Sequence, residues 1–153
     1  MATHSISAPV AGWSSHALSR AKADPAYGAF LMLWIGFIAI PLIMVLDKFF
    51  NVLTNWESYL APWIENLSPF TAQGTMMVIG IVEIIAAIAM VLRPRYAVFV
   101  VALWLAGIIV NLLSYSGFYD VALRDFGLLV AALALAVLAR TYTKPGFRKG
   151  GMK

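Results

Sequence analysis

The sequence contains no cysteine and few charged residues. Without cysteine, the chain cannot form disulfides, thiolate metal sites or cysteine-ligated iron–sulfur clusters, and catalysis by a thiol is excluded. Only 12% of the 153 residues are charged, whereas 62% are hydrophobic. One soluble domain of this length could not bury that much apolar surface, so the composition predicts a membrane protein.

Histidine is equally scarce. His4 and His16 both precede the first long apolar run, so a bis-histidine haem, a copper centre or a histidine-ligated pigment is not expected between the apolar segments. The sequence also has no phosphate-binding glycine loop and no recognisable arrangement for a serine nucleophile. We therefore expect a chain that is not catalytic by itself and that binds no cofactor through side-chain metal ligands.

Four long apolar runs dominate the sequence. The first, 26–46, holds 21 residues without a charge, and at about 1.5 Å per residue it would cover the hydrocarbon core of a bilayer. Pro41 predicts a kink within it. The fourth run must extend back to Val121 to be long enough, which draws Arg124 and Asp125 into the helix. The predicted spans are 26–48, 74–92, 96–114 and 121–139.

These spans predict an all-α fold, namely a polytopic membrane protein built as a four-transmembrane-helix bundle. Residues 1–25 form a polar amino-terminal segment, in which Ala17–Ala23 fits either a short surface helix or disorder. Residues 26–140 form the transmembrane domain and 141–153 a basic tail. Nine of the eleven lysines and arginines lie in the segments on one side of the spans. By the positive-inside rule both termini are cytoplasmic, and the net charge of +4 is a topology signal that does not indicate nucleic-acid binding.

The segment between the first two spans, 49–70, is the one sizeable extramembrane stretch. Its apolar residues recur at intervals of three and four, which predicts an amphipathic helix broken at Pro62 and lying at the periplasmic interface. Trp56, Tyr59 and Trp63 are its expected interfacial anchors. The segment either caps the bundle or forms a lid over a substrate or quinone pocket.

Charged and amide side chains inside the spans are the candidate site residues. Because the first and fourth helices are antiparallel, we expect a hydrogen-bonded ionic cluster near one rim of the bundle. One interpretation is a structural clasp, in which acids and bases neutralise one another. The other is a polar floor for an anionic or quinone-like headgroup, with Lys48 or Arg124 as donor. The expected members of this cluster are Asp47, Lys48, Asn111, Arg124 and Asp125.

Glu83 is the deepest charge, since nine residues at about 1.5 Å each place it roughly 14 Å from the start of the second span. A carboxylic acid at that depth is protonated unless a basic partner reaches it. It then either donates one hydrogen bond between helices or acts in proton relay or substrate contact.

Three short motifs resemble the DoxX-like family of small bacterial membrane proteins. They are residues 47–50 (DKFF), 80–83 (GIVE) and 122–129 (ALRDFGLL), and the resemblance covers roughly residues 27–140. It implies a four-helix fold in the bacterial inner membrane and a role near quinone-linked oxidoreductases such as thiosulfate:quinone oxidoreductase. The positions that it carries over are Lys48, Glu83, Arg124 and Asp125. The aromatic segment 49–70 and the long amino terminus depart from the shortest family members.

Three functions are compatible with these features. The first is an accessory subunit of a larger quinone-linked electron-transfer complex, mainly structural, in contact with lipid or quinone and with larger subunits. The second is a small oligomeric transporter or channel, with Glu83 as a proton or cation site. The third is a DoxX-like quinone-reducing subunit that uses Lys48 and Arg124.

Overall fold

The computed structural model describes residues 10–143 of the chain. The described part is helical and contains no strand. In this part of the chain, four helices are long and apolar enough to cross a membrane, which confirms the predicted all-α, four-helix membrane protein. Of the predicted terminal segments, residues 1–9 and 144–153 lie outside the described residues. The helices are α1 (Val10–Ala23), α2 (Pro25–Phe50), α3 (Pro62–Leu67), α4 (Ala72–Leu92), α5 (Pro94–Leu113) and α6 (Tyr119–Tyr142), with a 3₁₀ turn at Trp56–Tyr59.

Local sequence signals set the ends of these helices. The Asp24 carboxylate accepts the backbone N–H groups of Ala26 and Tyr27, and Pro25 opens α2, as is typical of a helix amino terminus. The helix is continuous through Pro41 and ends at Phe50, and the next residue, Asn51, caps it with a left-handed backbone of φ 51°. Asparagine is one of the few residues other than glycine that adopts this conformation readily.

The four long helices form a closed bundle, in which α2 packs against α4 and α6, and α5 packs against the same two helices. The loop end of the bundle carries residues 51–71 and 114–118. The terminal end carries Asp24, Arg93 and Tyr142. On α6 the buried positions are mostly alanines, which allow close approach of neighbouring helices. The main hydrophobic core lies towards the terminal end and includes Phe30, Met90, Val98, Ala132, Leu135 and Ala139.

The segment between the first two spans, 49–70, lies at the loop end and is less helical than its sequence pattern predicts. Residues 51–55 are not helical, because the Asp47 carboxylate accepts the backbone N–H groups of Val52 and Leu53 that a helix would use internally. Val52 and Leu53 are accordingly exposed, whereas Leu60 and Ala61 are buried. α3 begins at Pro62, and residues 60–61 separate it from the 3₁₀ turn, so the segment is interrupted next to the proline at which the sequence predicts a break.

Candidate polar site at the loop end of the bundle

Lys48 and Glu83 form a buried ion pair. The Lys48 ammonium, in the last turn of α2, lies 2.5 Å from Glu83 Oε2 in the middle of α4. The two side chains are only 5% and 15% exposed. A Cβ atom at Gly80 would lie 3.8 Å from Lys48 Cδ, so the lysine side chain passes across the glycine to reach the carboxylate. The deepest acid of the chain therefore has a basic partner.

Trp56 covers this ion pair from the loop side. Its ring centroid lies 4.5 Å from the Lys48 ammonium, a distance at which the ring face stabilises a cation. The Gln73 amide donates a hydrogen bond to the Lys48 carbonyl at 3.2 Å. The other side-chain atom of Gln73, Oε1, is buried and accepts no hydrogen bond from the described residues. Lys48 is thus held by α4 and by the loop at once.

Asp47 anchors the loop instead of joining an ion pair. Its two carboxylate oxygens accept the backbone N–H groups of Val52 and Leu53 and, at 2.8 Å, the indole N–H of Trp56. Asp47 and Lys48 are neighbours in sequence, and both contact Trp56. Asp47 and Lys48 together therefore fix the position of Trp56 over the end of α2.

Asn111 attaches the second half of the loop segment to α5. Its amide nitrogen donates to the Tyr59 carbonyl at 2.8 Å, and its Oδ1 accepts the Ala61 N–H at 3.0 Å. The indole N–H of Trp63 donates to Ser114 Oγ at 2.8 Å. One asparagine thus satisfies a carbonyl and an amide in a loop that would otherwise leave both unpaired, with Ala61 fully buried.

The loop between α5 and α6 contributes a further contact. The Tyr115 hydroxyl donates to the Ser58 carbonyl at 3.0 Å, and the rings of Tyr59 and Phe118 lie 4.8 Å apart. Burial raises the pKa of the Tyr115 hydroxyl, and Tyr59 adds to this effect. Tyr115 therefore remains a hydrogen-bond donor at neutral pH.

Arg124 and Asp125 are not joined to these groups. Within residues 10–143, neither forms a hydrogen bond or ion pair with Asp47, Lys48 or Glu83, and Arg124 is also not paired with Asp120. Arg124 is exposed on the outside of α6. Asp125 is half-buried, on the side of α6 that also carries the buried residues Ala122 and Ala132. The ionic pairing that the sequence placed between the first and fourth helices lies instead between α2 and α4.

Three residues of the site were not singled out from the sequence as site residues. Gln73 and Ser114 carry ordinary polar side chains near helix ends, and only their hydrogen bonds across the bundle give them a role. Gly80 belongs to the 80–83 motif and lies on the same face of the second span as Glu83, where the sequence predicts close helix packing, but it does not predict that a lysine crosses it. In the described part of the chain, no three histidine or carboxylate side chains are grouped so that they could hold a metal ion.

The fold and the site define the class of protein as a four-helix membrane protein with a sequestered ion pair between Lys48 and Glu83. Comparisons with models of known families, with curated proteins and with solved structures give no match to this chain.

Proposed function

We propose that this chain is an accessory, mainly structural subunit of a larger quinone-linked electron-transfer complex in a bacterial inner membrane. The observation that carries the proposal is the Lys48–Glu83 ion pair, closed over by Trp56. A buried pair of this kind fixes helices in register and adds little net stability. Asp47 and Asn111 are likewise occupied by bonds to the loop segment. The polar side chains of the site thus serve to hold the bundle and its cap together.

The outer face of α2 supports packing against another subunit or lipid. Of the 18 most apolar consecutive residues of α2, 11% are buried, compared with 22% to 28% in the corresponding stretches of the other three long helices. This helix therefore offers the most apolar surface outside the bundle. Its outward side chains include Met32, Ile35, Ile43, Leu46 and Phe50.

The resemblance to the DoxX-like family supports the same role. Lys48 belongs to the first of the three motifs and Glu83 to the second. The ion pair gives these two matched positions a shared physical function. The link to quinone-linked enzymes rests on this resemblance, and we expect any quinone or lipid to contact the loop end, near Trp56 and Lys48.

The distribution of basic residues supports the orientation. Nine of the eleven lysines and arginines flank the spans on the side of the terminal end or follow α6, and by the positive-inside rule this supports cytoplasmic termini and a periplasmic loop end. Reporter fusions to the two termini should both give cytoplasmic signals. Signals from opposite compartments would overturn this arrangement.

Co-purification tests the proposed function. A tagged full chain, extracted from native membranes with a mild detergent, should bring larger redox subunits with it, as identified by mass spectrometry. Combining Met32→Ala with Leu46→Ala on the outer face of α2 should weaken this association. Combining Leu103→Ala with Val137→Ala, which changes equally exposed apolar residues on α5 and α6, should not. A lone, monodisperse chain under these conditions would contradict the proposal.

A second candidate is a small transporter in which Glu83 accepts a proton or cation. The observation that favours it is the position of an ionisable pair at membrane depth, where charged groups are costly and often functional. In proteoliposomes containing a pH-sensitive dye, Glu83→Gln should then abolish proton flux. Flux that is absent in the wild type, or equal in the variant, would exclude this role.

A further inference from the structure

A cleft lies at the terminal end of the bundle, where α1 meets the first turn of α2. Its volume is about 340 Å³, and it is lined by His16, Ala17, Arg20 and Tyr27. The cleft is open to the outside, and His16 and Arg20 in its lining are exposed. The cleft is separate from the polar site, which is at the other end of the bundle.

Arg20 presents its guanidinium group in this cleft without a carboxylate partner. The guanidinium carbon lies 4.2 Å from the ring centroid of Tyr27 and 5.7 Å from that of Tyr142. Within residues 10–143, Arg20 forms no ion pair. An aromatic face stabilises the cation but does not use its N–H groups as a carboxylate would. Those groups remain available for bidentate bonds to an oxyanion.

Asp24 is near enough for the Arg20 guanidinium to help lower the pKa of its carboxyl, but the two side chains form no ion pair. One of the Asp24 oxygens accepts the N–H groups of Ala26 and Tyr27, and the other accepts the Tyr142 hydroxyl at 2.9 Å. The Tyr142 and Asp24 side chains thus hold the rings near Arg20 while leaving the guanidinium unpaired. The Arg20 guanidinium is therefore available to bind an anion from outside the protein.

The walls of the cleft are set by close packing of α1 on α2. A Cβ atom at Gly28 would lie 3.3 Å from the Ala21 carbonyl oxygen, which is tighter than an ordinary contact. A larger residue at position 28 would therefore require α1 to move away by a few tenths of an ångström. Arg20 and His16 lie four residues apart, on the same side of α1.

The cleft lies at the level where we expect the headgroup layer of a membrane. It lies where the apolar helix α2 begins, and tyrosines such as Tyr27 and Tyr142 favour this level. Among the described residues at this end, one acid, Asp24, stands against several basic residues. These are Arg20, Lys22, Arg93, Arg95 and Arg140. Such an excess attracts anionic lipids.

We propose that this cleft binds the phosphate of an anionic phospholipid headgroup, with Arg20 as the main donor and His16 as a second polar contact. The proposal does not depend on the accessory function. The same phosphate chemistry is offered by free phosphate, and the experiment below separates the two sources.

The test is a titration of the full chain, purified in detergent, with phosphatidylglycerol, and native mass spectrometry counts the bound lipids. Arg20→Gln should weaken binding of the first lipid by about tenfold, since a charge-assisted bond is lost. Lys22→Gln is the matched control, because it removes the same charge from the same helix but lies outside the lining of the cleft. Lys22 adds only to the general surface charge at this end, so its loss should weaken binding by at most about twofold, well below the effect of Arg20→Gln. An equal loss in both variants would show that general surface charge binds the lipid and would overturn the proposal.

Further titrations distinguish an anionic lipid from a neutral lipid and from free phosphate. Phosphatidylcholine should bind at least several-fold more weakly than phosphatidylglycerol, and equal binding would overturn the selectivity for an anion. Millimolar inorganic phosphate should not displace the lipid. If phosphate alone binds as tightly as the lipid, the lipid assignment is wrong.

Should Arg20→Gln fail to fold, as judged by thermal melting, Arg20→Lys replaces it. That variant keeps the charge but loses the planar fork, and undiminished binding by it would contradict the proposed bidentate contact.

Discussion

Lys48 and Glu83, 35 residues apart in the sequence, join the last turn of α2 to the middle of α4 through an ion pair of 2.5 Å. The lysine side chain crosses Gly80 to reach the carboxylate. A charge at the end of one helix therefore neutralises a charge deep in its neighbour. This geometry fixes the register of α2 against α4 in a way that apolar contacts alone would not.

Replacing either partner alone should be costly. Lys48→Met leaves a buried carboxylate unpaired and Glu83→Leu leaves a buried ammonium unpaired, so each should destabilise the chain by about 3–5 kcal/mol. The double variant should lose less than the sum of the two, with a coupling energy of about 0.5–3 kcal/mol. Unfolding in micelles by a denaturing detergent, followed by circular dichroism, measures all three.

Arg124→Gln serves as the control for this cycle, because it removes an exposed charge that has no ion-pair partner among the described residues. Its effect on the free energy of unfolding should remain within about 0.5 kcal/mol. Strictly additive losses for Lys48→Met and Glu83→Leu would show that the two residues do not interact in the folded chain.

The four long helices were predictable because hydropathy and length are properties of each segment alone. The predicted spans agree with α2, α4, α5 and α6 to within three residues at every end. The basic partner of Glu83 was not predictable in the same way. Depth along a helix follows from counting residues, but pairing also depends on how each helix is rotated about its axis. The rotation of α6 leaves Arg124 exposed, although its depth is close to that of Lys48.

The loop segment shows a second limit. Its apolar spacing fits a helix, and the sequence does place Trp56, Tyr59 and Trp63 at the correct end of the bundle. Hydrogen bonds from side chains oppose this helix, since the Asp47 carboxylate accepts the N–H groups of Val52 and Leu53 at the start of the segment and Asn111 accepts the Ala61 N–H near its centre. Such side-chain bonds to the backbone compete with helical hydrogen bonds, and the partner Asn111 lies 50 residues away in sequence from Ala61.

Asn111 should be required for the ordered position of the loop segment. Asn111→Leu would leave the buried Ala61 N–H and the Tyr59 carbonyl unpaired, at a cost of about 1–3 kcal/mol. Asn111→Asp keeps an acceptor for Ala61 but loses the donor to Tyr59. Hydrogen exchange should therefore show fast exchange of the Ala61 amide in the leucine variant and retained protection in the aspartate variant. Equal protection in both would contradict the hydrogen bond from Ala61.

Asp24 should make stability depend on pH in the acid range. The hydrogen bond from the Tyr142 hydroxyl, followed by that from the Tyr27 N–H, lowers the pKa of Asp24 below its usual value of 3.8. A carboxylate with a lowered pKa stabilises the folded state above its unfolded pKa, and this contribution is lost as the pH falls through the folded value. Wild type should therefore exceed Asp24→Asn in stability at pH 6 by more than at pH 3.

Thermal melting at the two pH values measures this difference for Asp24. Tyr142→Phe removes the strongest cause of the lowered pKa and should reduce the pH dependence without abolishing it, since the backbone N–H groups remain. If the difference in stability between wild type and Asp24→Asn is the same at pH 3 and pH 6, the lowered pKa of Asp24 is contradicted.

Gly80 should tolerate alanine but not a larger side chain. An added Cβ would lie 3.5 Å from Val45 Cγ1 and 3.8 Å from Lys48 Cδ, which are ordinary contacts, and alanine favours a helix over glycine by about 1 kcal/mol. Gly80→Ala should therefore be neutral or stabilising. Gly80→Leu would displace the lysine side chain from its route to Glu83 and should cost about as much as losing the pair. Gly107 provides the control, since a Cβ there meets nothing within 4 Å, so Gly107→Leu should have little effect in the same unfolding assay. Equal responses of the two glycines to leucine would show that Lys48 does not need the space above Gly80.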